Sequence, residues 1–163
     1  MSDQVAVMNH GRFEQVGSPQ QLYYQPKTAF VAGFVGNSNR FEGNIEERDG
    51  ERVLLRSGGG LALWAQRVGA VDVGQAGQLF VRPEAIDIGR SPGELPAGEP
   101  AWSAKVQSVL FDGGNSTVQV LEDHSQAPLH IALPLTGRLA DLRAGETVHF
   151  AYQPSQAWCF AAA

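Results

Sequence analysis

With 163 residues, 43% of them hydrophobic, and a formal charge of −5, the chain has the composition of a soluble domain large enough for a sizeable core, and its 19 glycines and 9 prolines make it rich in turns. No apolar run reaches the roughly 18 residues needed to span a bilayer. Lysines occur only at positions 27 and 105, so no basic stripe exists to neutralise phosphates, which argues against nucleic acid as a partner. The single Cys159 excludes an internal disulfide, and residues 1–4 lack the basic and then apolar stretch of a secretion signal, so a reducing cytoplasm is the expected compartment.

In chain order, residues 5–8 and 13–16 read as two short strands, joined by a three- or four-residue loop in which Gly11 takes a positive φ. His10 is a loop residue in this reading. Ser18-Pro19-Gln20-Gln21 is a helix start: Ser18 is the N-cap, Pro19 stands at the first helical position and Gln21 closes a capping box. Pro26 disfavours helical geometry at Gln25, so that helix is short. Thr28 caps a second short helix, with Phe30 and Phe34, and Val31 and Val35, stacked at i, i+4 on one apolar face that ends at Gly36. A hairpin with two single-turn helices buries too little to be stable alone. This stretch therefore reads as the tail of a larger domain.

From residue 37 onward, strand candidates recur at short intervals: 41–46, 52–55, 61–65, 77–82, 85–88, 101–111, 116–121, 129–133, 146–152 and 157–160. Asp49-Gly50, Gly58-Gly59-Gly60, Asp112-Gly113-Gly114-Asn115 and Ala144-Gly145 supply turn chemistry between them, and this spacing predicts an OB-like small β-barrel, as one barrel or as two intertwined ones. Residues 91–100, with Pro92, Pro96 and Pro100, read as a linker or long loop. Pro83 stops the strand ending at Arg82, so Arg82-Pro83-Glu84 makes a corner. There, Arg82 and Glu84 are candidate regulatory, ligand or interface residues, and their simplest reading is a surface ion pair.

The first segment, from Ser2 through Asn9-His10-Gly11-Arg12, Glu14-Gln15-Val16-Gly17-Ser18-Pro19 and Leu22-Tyr23 to Phe30-Val31-Ala32-Gly33-Phe34-Val35-Gly36, resembles the end of the nucleotide-binding domain of an ABC importer ATPase. Val81-Arg82-Pro83-Glu84 is similar to the Arg-Pro-Glu signature of the transport-associated OB (TOBE) region that follows it. Gln4 stands where that family usually has Arg, and Arg40 where an apolar residue is common. The resemblance implies a boundary near residue 36, with 1–36 as a remnant of the nucleotide-binding domain and 37–163 as a TOBE-type regulatory β domain. It further implies a parent that uses ATP and Mg, pairs with a second copy of itself and is held at the inner face of the membrane by permease subunits. Among importers, those for spermidine and putrescine are the nearest in character, and iron or aminoethylphosphonate importers follow.

The chain itself lacks GxxxxGK[ST], so nothing in it cradles phosphates, and no cofactor, metal or catalytic residue is assigned to it. His124, His130 and His149 have no metal-ligand spacing, and Ser116 and Ser125 sit in no nucleophile elbow. Trp64, Trp102 and Trp158 could line a ligand site, but aromatic residues within β runs usually serve packing. The alternative to a regulatory module is an oxyanion-binding barrel, for which the backbone of Asp112, Gly113, Gly114, Asn115, Ser116 and Thr117 offers a candidate anion nest.

Overall fold

The computed structural model describes residues 4–34, 38–95, 101–112, 115–133, 139 and 141–162. Side chains of 111, 112 and 115 lie outside the description.

The first segment forms a hairpin, β1 (Val5–Asn9) and β2 (Arg12–Gly17), followed by helices α1 (Pro19–Tyr24) and α2 (Ala29–Phe34). The turn is tighter than expected. Asn9 faces Arg12, and His10 and Gly11 both have positive φ, 53° and 78°, the conformation of a two-residue turn whose twist suits the flanking strands. The capping box of α1 is present: Gln21 N–H donates to Ser18 Oγ at 3.2 Å and Ser18 N–H to Gln21 Oε1 at 2.9 Å. Thr28 caps α2 by accepting from Val31 N–H at 3.2 Å. The expected apolar face of α2 requires correction. Phe30 and Phe34 do stack, with centroids 5.6 Å apart, but both face outward, while Val31 and Ala32 are buried. Val35 and Gly36 lie outside the described residues.

All ten strand candidates after residue 37 are strands. The first set is β3 (Asn39–Asp49), β4 (Arg52–Ser57), β5 (Ala62–Arg67), β6 (Ala76–Val81) and β7 (Ile86–Gly89); the second is β8 (Trp102–Asp112), β9 (Asn115–Glu122), β10 (Pro128–Ala132), β11 (Thr147–Tyr152) and β12 (Ala157–Ala161). A 3-10 turn, Pro83–Ala85, separates β6 from β7, so β7 starts at Ile86 rather than at Ala85.

These ten strands trace one path twice. Both β3 and β8 carry a bulge, between Ile45 and Glu47 and between Val106 and Ser108. At the first, Ile45 N–H donates to Gln75 O and Gly74 N–H to Ile45 O; at the second, Val106 N–H donates to Glu146 O and Gly145 N–H to Val106 O. Gly74 and Gly145 share a left-handed φ, 91° and 93°, which a residue with a Cβ adopts at a cost. Both β6 and β11 end at a proline 3-10 turn, at Pro83 and Pro154. The last strands are exchanged. β12 closes the first barrel, in the order β12-β5-β4-β3-β6, whereas β7 adds to the edge of the second sheet, β10-β9-β8-β11-β7. Of the two arrangements left open by the sequence, the intertwined pair is the one formed.

The exchange merges the interiors. Phe41, Ile45, Val53, Leu55, Leu79 and Val81 of the first unit belong to the same cluster as Val106, Val118, Val120, Ile131 and Phe150 of the second. The outer surface of the first barrel is also apolar where β6 and β12 meet: alternate residues Leu79, Val81, Ala157 and Cys159 point inward, and Phe80, Trp158 and Phe160 form a second cluster on the outside. Strands covered on both faces read as unbroken apolar runs, and the cover here is Ala29 and Ala32 of α2. Read as a piece that has lost its packing partner in the parent, the first segment leads to the expectation that a second copy orders it; within one chain α2 already packs on β6.

Candidate functional site

Arg82 stands at the end of β6, where Pro83 turns the chain outward. Its guanidinium is directed under the first segment and its side chain is among the largest fully buried ones, with 2% of the residue exposed. Nη1 donates to Ala32 O at 3.1 Å and to Ser38 Oγ at 2.5 Å, and Nη2 donates to Tyr23 O at 3.2 Å. Tyr23 O lies in the last turn of α1 and Ala32 O in the last turn of α2, positions whose carbonyls have no partner within the helix. One planar fork thus caps both helices, and its charge opposes the negative end of each helix dipole. The guanidinium carbon also lies 4.3 Å from the centroid of the Tyr23 ring and 5.5 Å from that of Trp158, a placement favourable to a cation. Burial lowers the guanidinium pKa, but arginine starts so high that it stays charged.

The surface ion pair expected at this corner does not form. Glu84 is exposed on the 3-10 turn, while Arg82 points into the protein. The physical reason is the apolar wall of Phe80, Trp158 and α2 beside Arg82, together with two helix ends that need donors. Around the corner runs a cleft of about 210 Å³ lined by Tyr23, Tyr24, Glu84, Gln156 and Trp158. Gln15 braces the same segment: its side chain donates to Gln25 O at 3.1 Å and accepts from Lys27 N–H at 2.9 Å.

The described members of the second group of candidate residues are not brought to this corner. Asp112 pairs with Asn115 at the tip of the β8–β9 hairpin, while Gly113 and Gly114 lie outside the described residues. Ser116 and Thr117 belong to β9 and pair with Phe111 and Leu110; in an extended strand, successive N–H groups point to opposite sides and do not converge on one anion. Among the described residues no cluster of His, Cys, Asp or Glu has the make-up of a metal site. Trp102 stacks on Phe150 and Tyr152, at 5.6 and 5.7 Å. It therefore serves packing.

Sequence reading overlooked two further polar positions. Asn39, 5% exposed, bridges the units: its side chain donates to His130 O at 2.8 Å and accepts from His130 N–H at 2.7 Å. The carboxamide occupies the outer edge of β10 as a strand peptide would. Glu122, 1% exposed, folds the β9–β10 turn around itself, accepting from Ser125 N–H at 2.6 Å, Ser125 Oγ–H at 2.7 Å and His124 N–H at 3.0 Å. Its burial raises the carboxyl pKa, but these hydrogen bonds from Ser125 and His124 outweigh it and hold the carboxyl below the usual glutamate value. The signal for the turn was legible as Glu-x-x-Ser; that its carboxylate is buried was not.

Comparison with known proteins bears on this architecture. Residues 79–160 match the family model of the TOBE domain, which runs from β6 to β12 and takes in both exchanged strands. The chain belongs to the TOBE domain family. The spermidine/putrescine import ATP-binding protein PotA of Rubrobacter xylanophilus is 38% identical over 154 residues, covering 93% of this chain and 39% of that protein. The sulfate/thiosulfate import ATP-binding protein CysA of Ralstonia nicotianae is 36% identical over 151 residues, covering 91% and 39%. This TOBE-containing chain thus spans about two fifths of the length of such curated relatives. Its fold is shared with a solved structure of the cytoplasmic molybdate-binding protein ModG, at a TM-score of 0.64 and 12% identity over 76% of this chain and 96% of that one. No helix among the described residues is long and apolar enough to cross a membrane.

Proposed function

We propose that the chain is the regulatory and dimer-contact region of the ATP-binding subunit of an ABC importer for small solutes, with polyamines as the leading substrate class. Residues 1–36 are the end of the nucleotide-binding domain in this reading, and residues 37–163 the TOBE-type regulatory domain. The observation that carries it is the continuity of the match: relatives named as import ATP-binding proteins align with the barrels and with the hairpin and helices docked on them. ATP and Mg then belong to the larger subunit, whose partners are a second copy and membrane permease subunits at the inner face of the plasma membrane. The chain lacks a phosphate-cradling loop, so by itself it hydrolyses nothing.

Uptake assays test this reading in a strain deleted for the full-length subunit. Restoration of spermidine and putrescine uptake by the intact subunit is the expected result; restoration of sulfate uptake alone would move the substrate class to that of the CysA relatives. A stoichiometric micromolar affinity of the 163-residue chain for ATP would refute its non-catalytic role. A second reading, an oxyanion-binding module, draws support from the fold shared with a molybdate-binding protein. Calorimetry with molybdate, sulfate and spermidine separates the two, because a saturable molybdate isotherm belongs to the second alone.

A further inference from the structure

Clefts open along the contact between the first segment and the barrel. On its apolar side Ala29 and Ala32 meet Phe80, Val68, Trp158 and Phe160. A cleft of about 350 Å³ opens on one flank, between Lys27, Pro26 and Tyr24 of the segment and Gln66, Val68 and Trp158 of the barrel. Another of about 350 Å³ opens beside Phe30 and Phe34, against Arg40, Gln78 and Phe80. Clefts along the joint interrupt the apolar packing that would otherwise resist its opening. What fixes it is polar. The Arg82 fork reaches across the joint to α1 through Tyr23 O, to α2 through Ala32 O and to Ser38, which itself donates to Ala32 O at 3.3 Å.

We propose that Arg82 is the latch of a hinge between the helix pair and the first barrel, through which the regulatory domain holds or releases the end of the nucleotide-binding domain. Because one rigid guanidinium serves both helices, they cannot leave singly without stranding a carbonyl and uncovering the cation, so the joint opens as a unit. Lysine cannot replace it, since a single ammonium does not reach both helix ends with the planar geometry of the fork. The regulatory meaning of the latch rests on the proposed function; its existence does not.

Hydrogen–deuterium exchange on the 163-residue chain tests the latch. The probes are the amides of Leu22, Gln25 and Ala32, which close the helical turns to Ser18, Gln21 and Thr28, compared with ladder amides of β3 and β4. In Arg82→Met the helix amides exchange at least roughly tenfold faster than in the wild type while the ladder amides are unchanged, and Arg82→Lys falls between. Unchanged helix amides overturn the latch. Acceleration of helix and ladder by the same factor also overturns it, making Arg82 a support of the whole fold. If Arg82→Met does not fold, Ser38→Ala removes one acceptor of the fork together with the Ser38 bond to Ala32 O and gives the same pattern at a smaller factor; a uniform rise, or none, counts against the latch. The measurement involves no nucleotide, so its failure leaves the proposed function standing. Released helices with an unaltered ATPase in full-length Arg82→Met would instead overturn the regulatory use of the latch.

Discussion

Replacing Glu122 by Gln perturbs one atom pair at the centre of the β9–β10 turn. The carboxylate is 1% exposed and accepts from two backbone N–H groups and the Ser125 hydroxyl. All three bonds go to Oε2, so the amide keeps an acceptor there only by placing its NH₂ at Oε1, and the bonds lose their ionic character. Hydrogen bonds to a charged group are worth about 1.5 to 3 kcal/mol each and neutral ones about 1. The loss summed over the three bonds is therefore about 1.5 to 6 kcal/mol at pH 7, or a fall in Tm of roughly 3 to 24 °C for a chain of this size. The pH dependence gives a sharper test. A carboxyl held below its unfolded value in the folded state contributes stability that is fully present above the unfolded pKa and is lost as pH falls through the folded one. Urea titrations at pH 7 and at pH 3 should then show the wild type and Glu122→Gln well separated at neutral pH and converging in acid. A difference that is the same at both pH values, or absent at pH 7, would refute the assignment of a charged Glu122 to this turn.

Gly43→Ala tests the β3–β4 ladder of the first barrel: a Cβ there would overlap the Arg56 carbonyl oxygen, and overpacking against backbone costs roughly 3 kcal/mol, read as a lower denaturation midpoint. Asn39→Ala strands the N–H and C=O of His130 at the edge of β10 and should cost about 1 to 3 kcal/mol, with exchange rising first in β10; a loss confined to β3 would place the bridge elsewhere. Cys159 is buried, and burial pushes its thiol pKa up to about 12, so a disulfide reagent at pH 8 should leave the folded chain unmodified and label it once denatured.

The α1 capping box, the ten strands, the corner at Pro83 and the family itself were legible in the sequence, because each is carried by neighbours in the chain: a cap by residues three apart, a strand by a run of β-branched and aromatic side chains, a corner by a proline ring. The repeat was not read from the sequence. Its marks are spread over distant positions, the bulges at Ile45 and Val106 and the left-handed Gly74 and Gly145, whose side chains otherwise differ. The sequence suggests a turn at His10 one or two residues longer than the one formed, because a left-handed histidine is not the default choice at that position.

What the sequence determined by itself is a β-rich TOBE-type chain behind a helix pair, since local conformation follows from local chemistry. Only the tertiary structure decided where Arg82 points and which strand closes which barrel. An arginine beside a glutamate is a surface pair until two helix ends and an apolar wall arrive from residues some 50 to 76 positions away (Ala32 and Trp158) and take the guanidinium inward. Likewise β7 and β12 have the same length of linker whether they fold back or cross over; the shared core of Ile86 and Ile88 with Phe150, and of Ala157 and Cys159 with Leu79, selects the exchange, because it buries apolar faces of both units at once.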